Sequence, residues 1–195
     1  MLQLVFATNN QNKIQEIQKE LAGKVEVLSL DDIGFEGEIP EDYETLQENA
    51  HQKARYIADR FKVNCFADDT GLEVHSLGGE PGVYSARYAG PERSADLNMV
   101  KLIEELKGHE DRSAQFRTVV ALVLNEEDFS FEGAVQGTIL SERVGADGFG
   151  YDPVFQPDGY SVSFAEMSMS EKNAISHRGK AVRKLVAFLA DRVSN

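Results

Sequence analysis

Two side-by-side carboxylates, Asp68 and Asp69, sit inside an otherwise apolar strand-like run from Cys65 to Val74. Asp and Gly are poor strand residues, so a strand that runs onto Asp68, Asp69 and Gly71 is expected to break there. One reason for a break is a plain turn, since Asp-x-Gly is good turn chemistry. Another is a carboxylate pair held at a strand end over a pocket. Neighbouring carboxylates repel, which raises the pKa of one unless a cation sits between them. A hard divalent cation such as Mg²⁺ takes few protein carboxylates and completes its shell with water and phosphate oxygens. Taken alone, this stretch favours the turn; the rest of the chain reverses that order.

Upstream, Leu4-Val5-Phe6-Ala7 is a short continuous apolar run, as expected of a strand buried on both faces. It gives way to Thr8-Asn9-Asn10-Gln11-Asn12-Lys13, after which Ile14, Ile17 and Leu21 recur at helical spacing and Gly23 closes the segment. A helix start offers free N–H groups and partial positive charge, which suits phosphate. Asn10 or Asn12 is a fair N-cap. Lys13 opposes the helix dipole, so it gains from an anion beside it. The loop lacks the glycines and the Gly-Lys-Ser/Thr ending of a P-loop.

Val25 to Leu28 reads as a second strand, and 31–44 as an acidic loop carrying Glu36, Glu38, Glu41, Asp42 and Glu44. Thr45 with Glu48 predicts a capping box for a long helix whose apolar stripe is Leu46, Ala50, Ala54, Ile57, Ala58 and Phe61. Lys53 lies off that stripe and is expected to be exposed or to face a cleft. The glycine-rich segment 78–88, with Tyr84, Arg87 and Tyr88, either lines a site or covers a sheet edge. Leu97, Val100, Leu102, Ile103 and Leu106 predict a helix over about 94–107, and 116–140 reads as a hairpin turning at Glu126-Glu127-Asp128.

Further on, Gly148 and Gly150 bracket Phe149, and small residues let backbone and a flat ligand approach closely. In the tail, Ser176 is placed to cap a last helix with the stripe Val182, Leu185, Val186, Leu189 and Val193. That puts His177 and Arg178 in its first turn, a second cation at a helix start. Ser176 and His177 are not a serine-hydrolase pair, because neighbours at a helix start cannot take up triad geometry and no nucleophile elbow is present.

The charge balance narrows the partners. The chain has 33 Asp and Glu against 20 Lys and Arg, a net charge of −13. That argues against polymeric nucleic acid but leaves room for a small anion held by converging basic side chains. The single cysteine, Cys65, excludes an internal disulfide and suits a reducing compartment. No basic leader and no membrane-length apolar run is visible, so a cytoplasmic protein is expected.

The motifs Thr8–Lys13, Ala67–Leu72, Pro81–Tyr88, Gly148–Pro153 and Ser176-His177-Arg178, in this order, resemble the inosine triphosphate pyrophosphatases. The resemblance runs from Leu4 into the final helix. It implies one α/β domain over residues 1–195, an elongated mixed β-sheet with flanking helices, two lobes around a central cleft, and a homodimer. The implied activity converts non-canonical purine nucleoside triphosphates (ITP, dITP, XTP) to monophosphate and diphosphate with Mg²⁺.

Carried onto this chain, the resemblance makes Thr8, Asn9, Asn10, Gln11, Asn12 and Lys13 the phosphate loop and Lys53 a phosphate contact. Asp69 becomes the catalytic base beside the metal, with Glu41, or else Glu38, as the second metal carboxylate. Thr70 follows the base, where Ser is common in the family. Asn9 stands where Gly is common; it tolerates left-handed backbone, as Thr70 keeps a hydroxyl. Phe149, Gly150, Tyr151 and Asp152 resemble the base pocket, closed by Lys172, His177 and Arg178. Arg178, which only donates, is the expected partner of an oxygen at purine C6, with His177 as a second donor. Asp152 is the expected acceptor for the ring N1–H. The alternatives are a Maf-type pyrimidine nucleotide pyrophosphatase, or a nucleotide-binding module that does not hydrolyse.

Overall fold

A computed structural model describes residues 2–193, without the side chains of residues 19 and 193, so the Val193 part of the last stripe lies outside the described residues. Seven strands form one mixed sheet in the order β2-β1-β3-β5-β6-β7, with β4 on β3. They are β1 (Gln3–Phe6), β2 (Glu26–Leu28), β3 (Cys65–Val74), β4 (Pro81–Gly82), β5 (Ser113–Leu124), β6 (Glu127–Ile139) and β7 (Phe155–Pro157). The helices are α1 (Gln11–Leu21), α2 (Leu46–Phe61), α3 (Ala95–Glu105), α4 (Met169–Ile175) and α5 (His177–Val193). Strand β1 pairs in parallel with both β2 and β3, whereas β4 on β3 and β7 on β6 are antiparallel. The expected mixed sheet with flanking helices is therefore present.

The chain divides into two compact units. The first comprises residues 1–69, 118–133 and 178–195, and the second 70–117 and 134–177. In the first, Leu4 and Phe6 of β1, Phe66 of β3 and Val120, Leu122 and Leu124 of β5 pack with α1 and α5 through Ile14, Ile17, Leu21, Val182, Leu185 and Leu189. The alternate residues Val5, Cys65, Ala67, Val119, Ala121 and Val123 point the other way and are buried too. Both faces of these strands are covered, which explains their unbroken apolar runs. In the second unit, Leu72, Val74, Phe116, Val135 and Ile139 pack with Met99 and Leu102 of α3, with Leu106 at its C-cap, and with Val154, Phe155 and Phe164.

Several sequence expectations are corrected. Strand β3 does not stop at its carboxylates; it stays extended through Asp68, Asp69, Thr70 and Gly71 to Val74. Gly71 serves close packing rather than a turn, because a Cβ there would lie 2.7 Å from the Gly82 carbonyl oxygen of β4. The 78–88 segment thus covers a sheet edge, as one of its two readings held. The hairpin turns one residue earlier than expected, at Asn125 and Glu126, both at positive φ. On α3 the buried face is Asn98, Met99 and Leu102, while Leu97 and Val100 are more than half exposed. Asn98 is buried because its amide ties down a neighbouring segment, accepting from the Ala89 N–H at 2.7 Å and donating to the Ser85 and Ala86 carbonyls. The short helix α4 was not expected, although Ser168 and Glu171 form the reciprocal cap that such spacing signals.

Candidate active site

In the first unit the start of α1 is built as a capped loop. Asn10 is the N-cap, and its Oδ1 accepts from the backbone N–H groups of Asn12 and Lys13 at 3.0 and 3.3 Å. Thr8 Oγ1 accepts from the Asn10 N–H, and Asn9 donates to the Gly37 carbonyl in the acidic loop. Asn9, Asn10, Gln11 and Asn12 are exposed, so the helix start faces solvent with its dipole uncovered. Lys13 turns inward instead.

The pleat of β3 sends the two adjacent carboxylates to opposite faces of the sheet. Asp68 shares its parity with Phe66, on the side of α1 and α5. There Lys13 Nζ donates to it at 3.0 Å and Arg178 Nε at 3.2 Å. Arg178 also donates to Glu16 of α1. All four groups are nearly or fully buried. They form an alternating row: Glu16, Arg178, Asp68, Lys13. Burial alone would raise the Asp68 pKa, but the Lys13, Arg178 and Lys53 cations outweigh it and hold the carboxyl well below the usual range. Burial lowers the Lys13 pKa, only partly offset by Asp68. For Arg178, burial is outweighed by Glu16 and Asp68, which raise its pKa.

Asp69 shares its parity with Cys65 and Ala67 and meets α2. Lys53 Nζ lies 3.3 Å from Asp69 Oδ1 and 2.6 Å from Glu41 Oε1. Lys53 is buried rather than exposed, because a position off the apolar stripe of α2 still faces a carboxylate-lined interior. Burial raises the Asp69 pKa, Glu41 and Asp68 add to the rise, and Lys53 and Lys13 oppose it. Burial would lower the Lys53 pKa, yet Asp69, Glu41 and Asp68 raise it overall. The expected mutual repulsion of two adjacent Asp side chains is therefore a minor influence: each has its own cationic partner.

This group bears on metal binding. Among the described residues, no cluster of three or more His, Cys, Asp and Glu side chains forms a metal cage. Glu41 and Asp69 nonetheless offer hard oxygen donors that already share one cation, the Lys53 ammonium. That donor set fits an ion that takes one or two protein carboxylates and keeps water and phosphate for the rest.

In the second unit, Gly148 and Gly150 hold the chain at positive φ, 80° and 63°. Phe149 is half-buried, and its N–H donates to Asp152 Oδ2 at 2.8 Å. A Cβ on Gly148 would meet that same oxygen at 2.4 Å, so the close turn requires glycine. Lys172 of α4 is buried; its Nζ donates to Asp152 Oδ2 at 2.7 Å and sits 4.7 Å from the Phe149 ring centroid. Tyr151 is a core residue whose hydroxyl donates to the Ser85 carbonyl at 2.8 Å. His177 stacks on Phe116 with ring centroids 4.7 Å apart. Thr70 continues β3 beyond Asp69, half-buried.

The predicted residues thus fall into two sets. Thr8 to Lys13, Glu41, Lys53, Asp69 and Arg178 belong to the first unit. Thr70, Phe149, Gly150, Tyr151, Asp152, Lys172 and His177 belong to the second. Two participants had no assigned role in the sequence reading. Asp68 was visible only as the neighbour of Asp69. Glu16 lies off the apolar stripe of α1, so periodicity reads it as solvated, and only Arg178 from distant α5 explains its burial.

A sequence model of the Ham1 family matches residues 4–188. A dITP/XTP pyrophosphatase of Flavobacterium psychrophilum is 51% identical over 187 residues, covering 96% of this chain and 98% of the relative. A dITP/XTP pyrophosphatase of Porphyromonas gingivalis is 53% identical over 190 residues, covering 97% and 98%. The solved structure of a HAM1 protein from Coxiella burnetii superposes with a TM-score of 0.91 at 36% identity, covering 98% of this chain and all of the other. Sequence similarity over nearly the whole length and the same fold agree with the resemblance carried by the motifs, and the chain belongs to the Ham1 family.

Proposed function

We propose that this chain hydrolyses non-canonical purine nucleoside triphosphates, XTP, dITP and ITP, to the monophosphate and diphosphate, in the cytoplasm, with Mg²⁺ and as a homodimer. The observation that carries the reading is the Glu41–Lys53–Asp69 group: a buried carboxylate of raised pKa beside a lysine and a second carboxylate. The similarity to proteins named dITP/XTP pyrophosphatase supports the substrate class. No helix among the described residues is long and apolar enough to cross a membrane, and Cys65 is a free, buried thiol. The homodimer rests on the family resemblance alone.

Each residue has a task within this reading. The polar side chains of Thr8, Asn9, Gln11 and Asn12, at the positive end of the α1 dipole, hold phosphate oxygens. Asp69 accepts the proton of the attacking water, for which a raised pKa suits a base working near neutral pH. Lys13 and Lys53 offset charge on the departing diphosphate. Glu41 and Asp69 would hold Mg²⁺, which when bound neutralises phosphate charge and makes water easier to deprotonate. Asp68, Glu16 and Arg178 position Lys13.

For the base, Phe149 offers a ring face, with Gly150 as its small neighbour along the chain, Thr70 next to the base Asp69, and Tyr151 and His177 as buried supports. Arg178 spends Nε–H and an Nη–H on Asp68 and Glu16. Lys172, 4.7 Å from the Phe149 ring centroid, joins Arg178, which has five N–H donors, as a candidate donor for an oxygen at purine C6. Asp152, beside Lys172, only accepts while ionised, which suits a ring N1–H. Adenine mismatches both groups, and a site built to hydrogen-bond its substrate rejects such a mismatch by roughly 10⁴-fold. The test is kcat/KM for XTP and dITP against ATP, GTP and the pyrimidine triphosphates. The expected result is a preference of about 100-fold or more for XTP and dITP. A pyrimidine preference would favour the Maf-type reading. Nucleotide binding without turnover would favour a binding module.

A further inference from the structure

The Lys53 ammonium is almost closed to solvent, 2.6 Å from Glu41 Oε1 and 3.3 Å from Asp69 Oδ1. These are the two carboxylates to which the proposed function gives the divalent ion, and the inference rests on that assignment. A Mg²⁺ or Mn²⁺ ion binds carboxylate oxygen at roughly 2.0–2.2 Å. An ammonium in contact with the same oxygens would then face a divalent charge at short range in a poorly screened interior. The two cations compete for the same carboxylates.

We propose that Lys53 is the resident cation of the nucleotide-free site: it blocks free divalent metal, and the ion enters only with a nucleotide whose phosphate takes over the ammonium. Three features support this. The Glu41 side chain is 28% exposed, so the pair has a solvent-side opening. Lys53 hangs on a flexible four-carbon stem from the middle of a well-packed helix, so its tip can shift while α2 stays in place. Phosphate supplies the same charge and acceptor chemistry as the carboxylates that the ammonium gives up. Coupling is reciprocal, so the affinity that Lys53 withholds from free metal returns once phosphate engages it. Metal and nucleotide then bind cooperatively, and an empty site does not scavenge free ions.

The test uses Mn²⁺ alone as probe, titrated into the nucleotide-free full chain by electron paramagnetic resonance of the free ion. The proteins are the parent, Lys53→Gln, Lys53→Met, Lys53→Arg and the double variant Lys53→Gln/Asp69→Asn, each checked for fold by circular dichroism. Lys53→Gln and Lys53→Met are expected to bind Mn²⁺ about tenfold or more tighter than the parent, since a buried carboxylate pair without its cation is strongly unfavourable. Lys53→Arg should keep the block, and the double variant should lose the gain. Equal Mn²⁺ affinity in the parent and both neutral variants overturns the proposal, as does a gain that survives in the double variant. If neither parent nor variants bind Mn²⁺ even with a non-hydrolysable triphosphate analogue, the metal assignment itself fails. If the parent binds it with the analogue but the neutral variants show no gain without it, only the role of Lys53 falls.

Discussion

Asp68→Asn removes one charge and almost no volume from the buried row Glu16, Arg178, Asp68, Lys13. The Asp68 side chain has no exposed surface, and two cations donate to it, at 3.0 and 3.2 Å. Taking one partner from a buried ion pair costs about 3–5 kcal/mol, because the remaining charges stay desolvated. Arg178 keeps Glu16, so the loss falls mainly on Lys13, itself almost wholly buried. For a chain of this length that corresponds to a fall in Tm of roughly 6–20 °C. The pH dependence follows from the depressed pKa of Asp68. Its stabilisation is full above the unfolded value of about 3.9 and is lost as pH falls further toward the folded value. The gap between parent and variant should hold from pH 7 down to about 4 and narrow below it. Urea unfolding of both proteins across that range measures it, with an unchanged m-value expected. A loss under about 1 kcal/mol, typical of an exposed ion pair, would refute the claim that this row is a buried charge network.

Asp69→Asn should lower kcat by roughly 10²–10⁴-fold while nucleotide binding persists, since it removes the base and leaves the Phe149, Asp152 and Lys172 group intact; turnover within a few-fold of the parent would rule out the role. Asp69 works deprotonated as the base, so kcat/KM should fall along an acid limb, and activity that stays flat to well below the ordinary carboxylate value of about 4 would contradict this. Gly148→Ala should cost more stability than Gly150→Ala, as its Cβ would collide with the Asp152 side chain, whereas Gly150→Ala, with no protein atom near its Cβ, should cost only about 1–2 kcal/mol of left-handed strain. Equal losses of Tm in the two variants would argue against Gly148 shaping the Asp152 turn.

Much of the fold was legible because its signals are local. The apolar run 4–7, the Asn10 cap and the stripe of α1 each follow from spacing along the chain, and so do α2 and the 116–140 hairpin. What escaped depends on contacts between distant segments. Leu97 and Val100 look like core residues by period, but Asn98 turns inward to hold the Ser85 and Ala86 carbonyls. Glu16 looks solvated for the same reason, until Arg178 supplies its partner, and Lys53 reads as either exposed or cleft-facing until Asp69 and Glu41 decide for the interior. The Asp-Asp pair looked like a strand end because local propensity opposes it; pairing with β4 keeps the strand going, and the pleat then separates the two carboxylates. The missed helix α4 had a readable cap, Ser168 with Glu171, and it carries Lys172.

Phosphorus-31 NMR of dITP incubated with the protein and Mg²⁺ reports whether cleavage falls between the α- and β-phosphates. Monophosphate and diphosphate should appear in equal amounts from the first turnovers, without orthophosphate. Release of orthophosphate with accumulation of the nucleoside diphosphate would contradict cleavage at that position.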